Sequence, residues 1–319
     1  MLKIACDDGS TSVKLAWLEN EKIVTHISPN SFKEGWNTEI LSNNPVFNYL
    51  VDDKKYTFDI GSSSVIETTH VSYQYSALNR LAIHHALLTS GLLPQDIELT
   101  VTLPVTEFFT EDAQINEKNI QRKKENILKK VNINKGENFN IVNVMVMPES
   151  IPAVREVLIK DNISSLERSL IVDLGGTTLD CAVIQGLLDN ISEIKGNSEI
   201  GVSKLTKSVI NALYLASSPS SYYIADEVIK NVNNMALLKK VINDPKKITH
   251  ITEVVIEGSK NLADRVISEI EKINNINRIY LTGGGAEIIY SYVNDYFKNH
   301  KVEKIFEPQL ALVKAIALS

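Results

Sequence analysis

Two short acidic, glycine-bearing stretches hold the residues best suited to chemistry. One is Asp7-Asp8-Gly9-Ser10-Thr11-Ser12-Val13-Lys14, and the other is Asp173-Leu174-Gly175-Gly176-Thr177-Thr178-Leu179-Asp180. Glycine lets a backbone come close to a phosphate, and the freed N–H groups of such a turn form an anion-binding nest. A carboxylate beside that nest repels phosphate unless a divalent cation sits between them, and Mg²⁺ with its waters suits the role. Asp7 and Asp173 are therefore the expected metal residues, acting through water. Gly9, Ser10, Thr11, Ser12, Gly175, Gly176, Thr177 and Thr178 are the expected phosphate-side residues, giving backbone and hydroxyl donors to the β- and γ-phosphates. Asp180 either caps its hairpin or polarises a water. One Asp-Gly turn forms readily without a ligand. The same pattern in each half of the chain points to a nucleotide clamped between two related domains.

A third element is Leu281-Thr282-Gly283-Gly284-Gly285-Ala286-Glu287. It follows a strand-like run and opens a helix expected to reach Val293, whose N-terminus offers further donors to an anion. Gly283, Gly284, Gly285 and Glu287 are the expected further contacts to the nucleotide. The chain has no Gly-Lys dipeptide and so no Walker A loop, and Ile288 stands where G-x-G-x-x-G needs its last glycine. A Rossmann dehydrogenase is disfavoured.

The elements that must position these residues repeat. Leu2–Cys6, Val13–Leu18 and Lys22–Ile27 read as a strand meander around the first turn, and Leu170–Val172, Leu179–Ile184 and Ile191–Lys195 repeat it. A hairpin is expected at Val46–Val51 and Tyr56–Asp59, a helix over Ser76–Ser90 closed by Gly91, and strands at Ile97–Leu103 and Ile141–Met147. Asn116–Val131 reads as a basic amphipathic helix, in which Arg122, Lys123, Lys124, Lys129 and Lys130 would form a solvated face. A helix from Pro148-Glu149-Ser150 to Ile159 crosses between the halves. The longest helix is expected over Thr249–Asn274, and Pro308–Leu318 is a terminal helix returning to the first half. The fold class is α/β: two duplicated domains, each a mixed sheet flanked by helices, around a nucleotide cleft. The expected domains are residues 1–155 with 306–319, and 156–305.

At 319 residues the chain is long enough for two cores. A formal net charge of −6 argues against broad direct contact with DNA, which needs clustered Lys and Arg. Two cysteines, Cys6 and Cys181, build no disulfide framework and suit a reducing cytoplasm. The apolar start is too short for a signal-peptide core, and no apolar run reaches the roughly 18 residues of a membrane span. His84 and His85 are adjacent on a helix, diverge by about 100°, and read as structural rather than as metal ligands.

The order of hairpin, crossing helix, second hairpin and TGGGAE turn resembles the actin, Hsp70 and sugar-kinase ATPase superfamily over essentially the whole chain. His26-Ile27-Ser28-Pro29-Asn30-Ser31-Phe32, His84-His85-Ala86-Leu87-Leu88, Thr102-Leu103-Pro104, Asn119-Ile120-Gln121-Arg122-Lys123-Lys124 and Met147-Pro148-Glu149-Ser150-Ile151-Pro152-Ala153 further resemble the ParM/StbA plasmid-segregation proteins. The resemblance implies an ATPase that polymerises with ATP, possibly GTP, and Mg²⁺, and falls apart in the ADP state. Its filament ends would be held by a ParR-like DNA-binding adaptor, so DNA is met only indirectly and no membrane is involved. It implies that Glu149 orients or activates the attacking water, with Asp173 as the second catalytic residue, and that Lys123 lies near the nucleotide. From the residues alone, a Glu at a helix start is often only a favourable charge against the dipole, and the catalytic role is the favoured reading. The alternatives are a small-molecule kinase of the same superfamily and an actin-like cell-shape or division protein. A chaperone would need a further substrate-binding domain.

Overall fold

The computed structural model describes residues 1–40 and 45–319. Its first sheet contains β1 (Leu2–Asp8), β2 (Ser12–Glu19), β3 (Lys22–Pro29), β7 (Asp96–Leu103) and β9 (Asn140–Pro148), in the order β3-β2-β1-β7-β9. Its second contains β10 (Arg168–Leu174), β11 (Leu179–Gln185), β12 (Asn190–Asn197), β13 (Arg278–Thr282) and β14 (Lys301–Lys304), in the order β12-β11-β10-β13-β14. In both, a three-strand antiparallel meander is extended by two parallel strands. Identical order and polarity establish the duplication that the sequence shows only faintly. A smaller sheet of β4 (Phe32–Glu34), β5 (Asn48–Val51), β6 (Lys54–Phe58) and β8 (Asn132–Ile133) hangs on the first. The β5–β6 turn places Asp52 and Asp53 at φ 47° and 62°, the left-handed pair a two-residue hairpin needs.

The helices are α1 (Ala77–Thr89), α2 (Val105–Phe108), α3 (Glu117–Ile127), α4 (Ile151–Lys160), α5 (Ser203–Leu215), α6 (Tyr222–Lys230), α7 (Met235–Val241), α8 (Ile248–Ile270), α9 (Ala286–Tyr296) and α10 (Ala311–Ala317). Ser76 caps α1 through Asn79 N–H, and Gly91 follows it at φ +88°. The expected basic helix ends four residues early, at Ile127. Val131 is drawn into the first core, and the next two residues pair with β5. Tertiary packing there outweighs helix propensity.

Both faces of β1 are buried, which explains its nearly unbroken apolar run. Ile4 and Cys6 pack with Leu81 and Leu87 of α1, while Ala5 packs with Leu312, Val313 and Ile316 of α10. The crossing helix α4 joins the halves. Ala153 packs with Ala5 and Ala16, whereas Val154 and Leu158 pack with Ile171 and Tyr280. Among the described residues no helix is long and apolar enough to cross a membrane.

His84 and His85 are both buried and serve packing. His85 Nδ1 lies 2.7 Å from Tyr49 Oη and its ring stacks on Phe58, while His84 Nδ1 lies 3.0 Å from Asn138 Oδ1. Burial lowers their pKa values to about 4 for His84 and about 3 for His85. The unfolded chain takes up protons as pH falls through about 6.5, while the folded chain resists until near 4 and 3. Their contribution to stability is thus complete above about pH 6.5 and is lost as pH falls toward 4 and 3. Urea unfolding is expected to show a falling midpoint from pH 7.5 to 5, with a shallower fall in His84→Gln; equal slopes would remove the histidine from this account.

Candidate active site

The meander geometry delivers the two turns. β1 stops at Asp8 and β2 starts at Ser12, leaving Gly9–Thr11 as a turn, and Gly175–Thr178 is the equivalent turn between β10 and β11. Register places Lys14 opposite Asp7, and Asp180 opposite Asp173. The same cross-strand position therefore holds a cation in one hairpin and a carboxylate in the other. Lys14 Nζ is 3.1 Å from Asp7 Oδ2, and the residue is only 8% exposed. Burial alone would lower the Lys14 pKa, but attraction to Asp7 and a hydrogen bond donated to it outweigh burial and the net shift is upward. The amine stays charged. Sequence reading missed Lys14, although counting back from the turn pairs it with Asp7.

The hairpins touch. Ser10 Oγ lies 2.6 Å from Thr177 Oγ1, and a Cβ on Gly176 would come within 2.3 Å of Thr11 Cγ2. Only glycine permits that approach.

Glu149 follows β9. Its N–H donates to Leu103 C=O at 2.8 Å, and its own C=O accepts from Ile151 N–H at 2.7 Å. This three-residue turn holds Ser150 at φ +68°, ψ −48°, a strained conformation for a residue with a side chain. Ser150 Oγ donates to Asp173 Oδ2 at 2.7 Å, tying the Glu149 turn to the second hairpin. Nothing in the sequence signals that link.

The electrostatics calls for a cation. Burial, reinforced by Asp7 and Asp173, pushes the Glu149 carboxyl well above its usual range. Burial also raises Asp173 to about 7, with Asp180 and Asp7 adding to the rise and Ser150 and Lys14 opposing it. Burial raises Asp180 too, despite hydrogen bonds from Thr178 Oγ1 at 2.7 Å and Thr106 Oγ1 at 2.9 Å. Asp7, Glu149 and Asp173 thus gather around Lys14, and all-oxygen donors suit a hard divalent ion. Among the described residues no group of three or more His, Cys, Asp or Glu forms a metal cage.

Two cavities flank the touching hairpins. The larger, about 870 Å³, is lined by Thr11, Ser12, Gly176, Tyr222, Glu227, Gly284 and Glu287 among others, and its size suits a small-molecule ligand. The smaller, about 270 Å³, is lined by Gly9, Ser10, Glu149, Gly175, Gly176, Thr177, Thr178 and Asp180. Gly176 borders both. Within the triple glycine, Gly284 and Gly285 line the larger cavity, and close packing adds a second constraint. Gly283 sits at φ +82°, where a Cβ would lie 2.1 Å from Asp173 Oδ1, and a Cβ on Gly285 would lie 2.5 Å from Leu174 Cγ. Those two close on β10, while a Cβ on Gly284 meets nothing within 4 Å.

Lys123 departs from the solvated face expected for it. It is neither on a solvated face nor on a cavity wall. Fully buried, its ammonium pairs with Asp8, also fully buried, and donates to Gln74 Oε1 and to Asn79 Oδ1 at 3.1 Å. Asp8 also accepts from Asn79 Nδ2 at 2.7 Å and Thr102 N–H at 3.1 Å. A buried carboxylate demands a countercharge and satisfied lone pairs, and Lys123 supplies the charge from behind the first hairpin.

Two sheets of one topology, each presenting an aspartate-glycine hairpin to a shared cleft, define the actin-like ATPase fold. The descriptions "Plasmid segregation protein ParM, N-terminal" and "Plasmid segregation protein ParM, C-terminal" match residues 2–160 and 163–319. The chain belongs to the ParM family, the actin-like filament proteins of plasmid segregation. Among solved structures it is similar to a non-polymerisable quadruple mutant of pCBH ParM (TM-score 0.72, 16% identity, 99% of this chain and 98% of that one). It is also similar to a subunit of a 15-stranded ParM filament from Clostridium botulinum (0.68, 15%, 99% and 98%). A third is the archaeal actin homologue Ta0583 in complex with ADP (0.69, 18%, 100% of both chains). No curated protein matches the sequence.

Proposed function

We propose that this protein is an ATPase whose nucleotide state governs its assembly into plasmid-segregating filaments. Asp7 and Asp173 at equivalent register in two touching hairpins carry the reading. The nucleoside would occupy the larger cavity beside Gly284 and Glu287, with the phosphates reaching toward Glu149. Gly9 to Ser12 and Gly175 to Thr178 would orient the phosphate chain with backbone and hydroxyl donors, and Lys14 would neutralise part of its charge. Mg²⁺, held through water by Asp7 and Asp173, would offset charge developing on the transferred phosphoryl group. Glu149 would hold the attacking water and take its proton, while Asp180 keeps its hairpin tied to Thr106.

Phosphate oxygens entering between the hairpins would replace the Ser10–Thr177 contact. Loss of the γ-phosphate would then let residues 1–155 with 306–319 move against 156–305, giving the two nucleotide states different subunit surfaces. The ADP complex of Ta0583 supports nucleotide binding by this fold. A ParR-like adaptor at filament ends would supply the DNA contact that a chain of net charge −6 is poorly suited to make. The buried free thiols Cys6 and Cys181 suit the cytoplasm.

Light scattering and negative-stain microscopy with ATP and Mg²⁺, against ADP and GTP controls, test the reading. ATP-dependent transient filaments are expected, and turnover by monomers with a flat scattering trace would refute the coupling. Asp173→Ala is expected to abolish measurable phosphate release, and wild-type turnover in that variant would remove Asp173 from the site.

A further inference from the structure

The His26–Phe32 segment adds no group to the carboxylate cluster, yet its Asn30 holds the first turn. Asn30 is 7% exposed and borders the larger cavity. Its Nδ2 donates to Gly9 C=O at 2.9 Å and Ser10 C=O at 2.8 Å, and lies 2.9 Å from the buried Tyr73 Oη. Its backbone N–H donates to Thr11 C=O at 2.9 Å. Three consecutive carbonyls of the turn are thus drawn to one residue, and Thr68 Oγ1 adds a second donor to Ser10 C=O at 2.6 Å.

Peptide planarity converts that grip into an orientation. The carbonyl of one residue and the N–H of the next share a trans peptide and point in opposite directions. Pinning the carbonyls of Gly9 and Ser10 toward Asn30 therefore turns the N–H groups of Ser10 and Thr11 away from it. Among the described residues neither N–H finds an acceptor, so both are left for an external anion. Asn30 Oδ1 is buried and equally without a partner. An Asp here would lack the donors and set a negative charge against two carbonyl oxygens.

We propose that Asn30 is a positioning residue that sets the first turn to receive the phosphate chain. The proposal rests on the nucleotide reading above and deepens it. Asn30 reaches the phosphates only through the peptides it holds, so its loss weakens ligands in proportion to their phosphates and spares the nucleoside.

Binding of MgATP, MgADP and adenosine to wild type, Asn30→Ala and Asn30→Asp tests this, with titration calorimetry for the nucleotides and ligand-observed NMR for adenosine. Asn30→Ala is expected to weaken MgATP about tenfold, the scale of losing one or two hydrogen bonds, with adenosine within about twofold of wild type. Asn30→Asp is expected to be worse. Should these variants fail to fold, Thr68→Val removes only the second donor on Ser10 C=O and is expected to show a smaller loss of the same phosphate-selective kind. Equal weakening of all three ligands overturns the proposal by showing a general collapse of the cleft. Unchanged MgATP affinity overturns it directly. A folded wild type that binds none of the three removes the nucleotide reading, and the proposal with it.

Discussion

Replacing Glu149 by Ala is expected to slow ATP hydrolysis by about 10²–10⁴-fold, the usual contribution of a positioned acid or base, while ATP-driven assembly continues. Glu149 borders the smaller cavity with Gly9, Ser10 and the second hairpin, and among the described residues its carboxylate has one long hydrogen-bond contact, 3.5 Å from Thr102 Oγ1. Its carboxyl is held above the usual range by burial and by Asp7 and Asp173, and positive charge placed beside it would oppose that rise. A bound nucleotide with its cation would bring that charge and the attacking water together. The filaments of the variant should therefore form normally and persist, because the step that would release them is slowed. Nucleotide affinity, filament lifetime and phosphate release measured on the same preparation separate the roles. Long-lived filaments with unchanged affinity fit water activation, whereas wild-type hydrolysis would leave Glu149 as a helix-start charge only.

Lys123→Met should have the largest effect on stability, about 3–5 kcal/mol, the cost of leaving a buried charge without its partner. Asp8 would then sit at the base of the first turn with Asn79 and the Thr102 N–H as its remaining donors. The double variant Asp8→Asn with Lys123→Met removes both charges and is expected to recover much of the loss. Denaturant unfolding of the four proteins measures the coupling, and additive single effects would show that the pair acts independently. The same cycle tests the placement of Lys123: a residue contacting nucleotide would lose affinity in proportion to charge, with little change in unfolding.

The turns that carry the candidate site were legible because they are local. An aspartate, glycines and hydroxyl residues within a few positions of a strand end define a turn whatever surrounds it. Such turns occur in both halves, so the two hairpins, Asp7, Asp173 and the crossing helix could be read from the chain. Lys14 was within reach by the same reasoning, since hairpin register alone sets it against Asp7. Long-range burial was not legible. Lys123 stands among basic residues on a helix, and only the packing of α3 against α1 and β9 reveals that its side chain points inward. That Asp173 and Leu174 press against the glycines at 283 and 285 was equally out of reach of the sequence.

The sequence by itself determined the strand–turn–strand units, their repetition and their acid-rich turns, because turn chemistry and apolar periodicity act over a few residues. Only the tertiary structure decided which carboxyls share one buried site and that Ser150 joins Glu149 to Asp173. It also decided that Asn30 grips the first turn from about twenty positions away. Those contacts depend on where two sheets and a crossing helix come to rest. Burial and pairing of charge are properties of that packed arrangement, not of any short stretch of chain.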